Sequence, residues 1–187
     1  MRAAALLLML FSLPGLSAEL EGVRMDDRLR LGAQELELNG MALRTRAFFK
    51  VYVAGLYLAQ KTQAPEQALR APGPKRMELA MLRDVGAETF AGSLLDGLKD
   101  NNPDSELARL KPQVDELMAL MQKIGEAKKG MRITLDFAPG AGTSLLVNGA
   151  PQGKPIAGED FFPALLRIWL GERPVSADMK KALLGGA

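Results

Sequence analysis

Apolar and polar positions alternate with period two in the front part of the chain and again past its middle, with helical spacing between. Residues 23–31 read as a first strand. Glu35-Leu36-Glu37-Leu38 alternates charge with leucine, a half-buried strand that ends at the turn pair Asn39-Gly40. Residues 41–46 and 48–58 follow as extended segments rich in Val, Phe and Tyr. Pro65–Arg70 is at most one short helix, and Pro72-Gly73-Pro74 is a stop. Residues 76–83 alternate again, with Met77, Leu79 and Met81 on one face and Glu78 and Ala80 on the other.

The period changes at Ala87. Phe90, Ala91, Leu94, Leu95 and Leu98 recur at helical spacing, although Gly92 and Gly97 each weaken that helix by about 1 kcal/mol relative to Ala. Asn102-Pro103 reads as a cap with a first-turn proline. It opens a second helical stretch with Leu107, Leu110, Val114, Leu117, Met121 and Ile124 on its stripe, which Pro112 must kink or restart. Residues 131–137 are the cleanest strand. Pro139-Gly140-Ala141-Gly142 returns it into residues 143–147, and Asn148-Gly149 turns again. Residues 159–170 form a third helix, with Glu159 and Asp160 in its first turn and Gly171 ending it; residues 177–184 form the last. Hairpin-joined strands separated by helices predict an α+β domain, an antiparallel sheet covered on one face by helices.

Composition narrows the chemistry. The chain has 187 residues with no Cys and no His. Disulfides, thiol nucleophiles, thiolate metal sites and histidine-based triads or zinc sites are excluded, and no cofactor is expected. The net charge of +2 is spread along the chain without a basic block, so nucleic acid is not an expected partner. Asp26, Asp27, Asp84, Glu88, Asp96 and Asp100 lack calcium-loop spacing and read as caps and surface charges, so no metal is expected. Gly140-Ala141-Gly142-Thr143 joins strand to strand with no lysine following, a turn rather than a phosphate loop.

The N-terminus has the form of a targeting segment. Arg2 precedes an apolar run over residues 3–13, Pro14-Gly15 breaks it, and Leu16-Ser17-Ala18 supplies a small residue for cleavage. Residues 1–18 are therefore expected to be a cleaved signal peptide, with an uncleaved anchor as the alternative. The run is too short to span a bilayer comfortably, and no other stretch is long enough. The expected mature chain, residues 19–187, is one exported, soluble domain, periplasmic in a bacterium or secreted, with no stable membrane span.

The candidate site lies at residues 44–52. Arg44, Arg46, Lys50 and Tyr52 have equal parity and would share one face of a strand. Folding back around Ala47-Phe48-Phe49 would set Arg44 opposite Tyr52 and Arg46 opposite Lys50. Ala-Phe-Phe is poor turn chemistry, and in one straight strand Arg44 and Tyr52 would stand about 26 Å apart. Two readings stand: a cation and a phenol holding an anionic or carbonyl group at the end of an apolar pocket, or solvated charges on an open sheet face. Met77, Met81, Met118 and Met121 either border a cavity or fill the core.

The order of elements and the run Leu36-x-Leu38-Asn39-Gly40-x-x-Leu43-Arg44, continued by Lys50-Val51-Tyr52-Val53-Ala54-Gly55-Leu56-Tyr57-Leu58, resemble the chalcone isomerase-like family, in particular its exported bacterial branch. Ile156-Ala157-Gly158-Glu159-Asp160-Phe161, Ile168-Trp169-Leu170-Gly171 and Leu183-Leu184-Gly185 resemble that branch's ending. The resemblance implies an open-faced β-sandwich, a large antiparallel sheet with a helical layer and a ligand cleft between them. In the plant isomerases an arginine holds the phenolate while a threonine and a tyrosine polarise the carbonyl; fatty-acid-binding members use arginine and tyrosine to hold a carboxylate. Arg44 matches the family arginine. Tyr52 stands where the plant enzymes have threonine, as in the binding members, and Phe90 falls near the catalytic tyrosine's place without a hydroxyl. The implied function is binding of a fatty acid or similar small amphiphilic carboxylate, with Arg44, aided by Tyr52, on the head group, apolar side chains around the tail, and Lys50, Met81, Phe90 and Leu94 as further ligand-binding residues. The alternatives are an intramolecular lyase or isomerase acting through Arg44 and Tyr52, and an envelope interaction module with a vestigial cleft. Nothing in the residues sets the oligomeric state.

Overall fold

Residues 23–31 divide at Asp27 instead of running as one strand. In the computed structural model, which describes residues 17–186, Ser17–Leu20 (β1) pairs with Val23–Asp26 (β2) through a Glu21-Gly22 turn. Both turn residues have positive φ, 54° and 75°, which suits the twist of a two-residue hairpin. Arg28–Leu31 (β3) departs to pair with the main sheet. The break is held from below: the Asp27 carbonyl accepts from the Leu38 N–H at 2.8 Å, and the Tyr57 hydroxyl donates to the Asp26 carbonyl at 3.0 Å. Of the expected leader, residues 1–16 lie outside the described residues, while Ser17 and Ala18 are paired in β1 with Asp26 and Met25.

Gln34–Arg46 (β4) is one strand of 13 residues, so Asn39-Gly40 is not a turn. It forms a bulge in the pairing of β4 with Phe49–Leu58 (β5). The Asn39 amide donates to the Thr62 and Leu183 carbonyls at 3.0 and 2.7 Å, and its oxygen accepts from the Thr62 N–H at 2.7 Å. A Cβ on Gly40 would lie 2.1 Å from the Ala182 carbonyl oxygen, so this glycine permits close backbone approach.

Pro65–Arg70 (α1), Lys75–Met81 (β6), Ala87–Asn101 (α2), Asp104–Arg109 (α3) and Lys111–Ile124 (α4) come next. Arg132–Ala138 (β7), Gly142–Val147 (β8), Ala150–Pro151 (β9), Phe161–Leu170 (α5) and Ala177–Leu183 (α6) complete the order. Strands β3 to β9 lie in chain order in one seven-stranded sheet, each antiparallel to the next. Pro112 restarts the helix rather than kinking it: α3 stops at Arg109 and α4 begins with the proline in its first turn, where no backbone N–H is needed.

Two expected caps differ. Pro103 is itself the residue before α3, and the Asn102 amide donates to the Leu98 and Ala164 carbonyls, at 2.8 and 3.2 Å, tying α2 to α5. Helix α5 starts at Phe161, so Glu159 lies before it, accepting from the Gly140 N–H at 2.7 Å.

The sheet buries both faces. Ala54, Leu56, Leu58, Met77, Leu79 and Leu135 meet the helices. All of α5 except Pro163 and Arg167 is buried among them, which makes it the central helix of that layer. Across the sheet Leu36, Leu38, Val53, Tyr57 and Ala80 form a second, smaller cluster under Met25 of the β1–β2 hairpin. The charges expected on the wet face are paired there, Arg76 with Asp136 through two bonds of 2.6 and 2.7 Å and Arg132 with Glu78. The other expected methionines, Met77, Met81 and Met121, are core, with Met118 packed at its edge.

The two glycines of α2 differ. A Cβ on Gly97 would come 2.8 Å from Ile168 Cγ2 of α5, whereas nothing lies within 4 Å of one on Gly92. Gly92→Ala is expected to stabilise by about 0.5–1 kcal/mol and raise Tm by about 1–4 °C. Gly97→Ala is expected to lower Tm by pushing α2 from α5; thermal unfolding of both variants checks the contrast.

Candidate functional site

One extra residue in β5 shapes the end of the long hairpin. Arg44 faces Tyr52 across the strands, but the next pair is Thr45 with Lys50, and Arg46 then faces Phe49. Val51 is therefore bulged, and parity along β5 flips beyond it. Alternation gave Lys50 the place opposite Arg46; the bulge gives that place to Phe49. Lys50 instead turns to the β1–β2 hairpin, where its Nζ lies 2.6 Å from Glu21 Oε2. The turn is Ala47-Phe48, with Ala47 at φ 54°.

On the helix side of this hairpin a cleft of about 740 Å³ opens between β4–β5, helix α2 from Thr89 to Asp100, and the segment from α5 to Val175. That is within the usual range for small-molecule sites, about 300–1,000 Å³. Of the residues singled out from the sequence, Arg44, Tyr52, Phe90 and Leu94 line it together. Lys50 and Met81 do not. Met81 pairs with Tyr52 in the next strand but is buried in the core.

Arg44 is anchored on one side only. Its Nη1 donates to the Val175 carbonyl at 2.7 Å and to the Thr45 carbonyl at 3.3 Å. Nε and Nη2, the edge that grips a carboxylate with two parallel bonds, have no acceptor among the described residues. The Tyr52 hydroxyl is 7% exposed at the level of its residue and accepts from Trp169 Nε1 at 3.1 Å. Its own hydrogen likewise has no acceptor among the described residues. Burial pushes the Tyr52 phenol up; the Trp169 hydrogen bond and the Arg44 charge pull the other way and do not prevail. The hydroxyl thus stays protonated at neutral pH and serves as a donor.

Phe90, Leu94, Ile168 and Trp169 form the apolar wall beneath these donors. At the rim stand Arg46, Arg83 and Arg173 with Asp84, Asp96 and Asp100. None of the four cleft arginines makes an ion pair among the described residues. Among those residues no group of three or more Asp or Glu gathers as a metal site, and no helix is long and apolar enough to cross a membrane.

Sequence reasoning missed Trp169, Arg83 and the Val175 carbonyl. The one Trp of the chain was legible as a buried residue of its helix, and a buried indole N–H requires an acceptor, which in a chain without His pointed toward the tyrosines. Arg83, whose guanidinium lies 4.4 Å from the Phe49 ring centre, and Val175, in a loop, left no such signal.

The family model described as chalcone isomerase-like matches residues 17–185. The chain belongs to that family. A search of curated proteins found no match. Among solved structures, the crystal structure of a fatty-acid binding protein of Arabidopsis thaliana is similar at 16% identity and a TM-score of 0.69, covering 90% of this chain and 96% of that one. At that identity the likeness is one of fold: a large antiparallel sheet with a helical layer, as the family resemblance implied.

The chain's two tyrosines provide a direct readout of this burial. Tyr57 is also pushed up, by burial first and then by Glu78 and Asp26. Both folded values exceed the unfolded one, so the stabilisation is complete below about pH 10 and is lost as pH rises above it. Ultraviolet titration is expected to show less phenolate at pH 10 than the half ionisation of a free phenol, with more appearing as the protein unfolds. Half ionisation of either tyrosine in folded protein at pH 10 would contradict the burial described.

Proposed function

We propose that this chalcone isomerase-like protein binds a fatty acid or similar small amphiphilic carboxylate in the cleft between sheet and helices, and that it acts by binding rather than by turnover. The observation that carries this reading is the pair of unfilled donors, the Nε–Nη2 edge of Arg44 and the hydroxyl of Tyr52, above an apolar wall. A carboxylate has two oxygens for such a set, and a hydrocarbon tail suits Phe90, Leu94 and Ile168. The similar Arabidopsis structure, a fatty-acid binding protein by its title, supports the ligand class. Tyr52, held protonated, offers a hydrogen bond but is poorly matched to proton abstraction near neutral pH.

In this reading the tail supplies most of the affinity, about 0.8 kcal/mol per buried methylene, and the arginine sets the orientation through a charge-assisted bond of about 1.5–3 kcal/mol. Export is part of the proposal and rests on Arg2 and the apolar run that follows. The intact mass of protein recovered from an expressing bacterium is expected to match a chain beginning at residue 19; an unprocessed mass would remove the export reading.

Arg44→Ala is expected to weaken binding of a long-chain fatty acid about 10- to 100-fold while leaving its methyl ester nearly unchanged. Isothermal titration with both ligands measures the difference. Equal losses for acid and ester would remove Arg44 from the head-group role, and no heat with either would remove the binding reading.

A further inference from the structure

Among the described residues the two large apolar side chains left in water are neighbours, Phe48 at 97% and Phe49 at 59% exposure. They sit at the tip of the β4–β5 hairpin. Exposed phenylalanines at a turn gain nothing for folding, and this turn lacks the chemistry that would justify it: Ala47 takes a left-handed φ of 54°, where Gly or Asn is the ordinary choice. Strain of this kind, kept at a tip that presents apolar surface, points to use of the surface.

The charges around the tip have one dominant sign. Residues 44–50 contain Arg44, Arg46 and Lys50 and no acid. Arg83 lies over the Phe49 ring at 4.4 Å and adds a fourth cation. Of the nearby carboxylates, Glu21 is paired with Lys50, Asp84 accepts from the Lys129 N–H at 2.7 Å, and Asp96 and Asp100 line the α2 side of the cleft rather than the hairpin. Arg46 and Arg83 remain without an ion pair among the described residues. Two exposed aromatic rings, one of them under Arg83 and both flanked in sequence by Arg46 and Lys50, have the make-up of a segment that enters the interface of an anionic bilayer, with rings among the acyl chains and guanidinium groups at the phosphates. Arg46, Ala47 and Phe49 also line the mouth of the cleft, so the tip and the opening share one end of the molecule.

We propose that the Phe48–Phe49 tip docks the protein on anionic lipid membranes and sets the mouth of the cleft against the bilayer, so that an amphiphile passes between membrane and cleft without crossing water. The direction of transfer rests on the ligand reading above; the docking itself does not.

Phe48 does not line the cleft, which makes it the residue to change. With the chain as purified and vesicles of phosphatidylcholine with about 30% phosphatidylglycerol, Phe48→Glu is expected to lower co-sedimentation at least about tenfold. Fatty-acid affinity in vesicle-free buffer is expected to stay unchanged. Phe48→Trp gives a local readout: its added emission is expected to shift to the blue and to be quenched by acyl-brominated lipid, while Trp169 of the parent chain, buried in the core, is not. Quenching is expected to fall in zwitterionic vesicles and at about 0.5 M salt, where surface charge is screened. An unquenched Phe48→Trp overturns the proposal whatever the total vesicle binding, since attachment then runs through another segment or the tip serves a protein partner. Quenching without fatty-acid binding would remove the ligand reading and leave docking standing; fatty-acid binding without quenching would do the reverse.

Discussion

A β-sheet has two faces and a strict alternation, so a side chain's face is set by its count along the strand unless a residue is inserted. Val51 is that inserted residue, opposite the step from Arg44 to Thr45. Up to Tyr52 the hairpin follows the pattern of its core, with Tyr52, Ala54, Leu56 and Leu58 toward the helices. Past the bulge Phe49 takes the cleft side and Lys50 leaves for the β1–β2 hairpin. Without it Lys50 would stand beside Arg44 and Arg46, three cations crowded on one wall. The bulge replaces the third with an aromatic surface, leaving a cationic head site with an apolar lip.

The other wall depends on how closely two helices approach. Helix α2 reaches α5 at Gly97, where Ile168 occupies the space of a missing side chain. Trp169, next along α5, is thereby held so that its indole N–H reaches the Tyr52 hydroxyl. The N–H fills one lone pair of that oxygen and leaves its hydrogen to point elsewhere, which converts an amphoteric group into a donor. From the far side the Val175 carbonyl fixes Arg44 through Nη1 and leaves the opposite edge open. Each polar group at the head of the cleft is thus half-satisfied by protein and oriented by that half. Orientation set before a ligand arrives removes part of the entropy cost of binding.

Much of the architecture was legible because it follows from periodicity. Helix α1 and the strand–turn–strand run through residues 131–147 lie where alternation and turn residues placed them, and the restart at Pro112 was one of the two outcomes its chemistry allowed. The failures share a cause. Asn39-Gly40 is the same hairpin dipeptide as Asn148-Gly149, which does turn, yet it lies within a strand, because carbonyls of α6 and the segment after β5 bind that asparagine from 144 and 23 residues away. The strand break at Asp27 is held by β4, whose Leu38 N–H donates to the Asp27 carbonyl, and by β5, whose Tyr57 hydroxyl donates to the Asp26 carbonyl. In the site, the pairing of Arg44 with Tyr52 was readable from parity and a fold-back. The exit of Lys50 was not, since a bulge leaves no mark on a pattern of period two. Met81 read as cavity lining because apolar spacing gives depth in a core but not the position of a void.

The chemistry of the cleft follows from what its two polar groups cannot exchange. Arg44 carries a permanent charge, and Tyr52, with its phenol raised by burial, keeps its proton through the neutral range. Neither is placed to take a proton from a ligand near pH 7, and both donate. A group that meets these two donors is held and turned by them, and its own charge decides how firmly. The low polarity of the wall formed by Phe90, Leu94 and Ile168 strengthens that hold while rejecting any second charge farther down the ligand. The proposed ligand, an amphiphile with one anionic end, meets both conditions; a short dianion or a neutral polar molecule fails one of them.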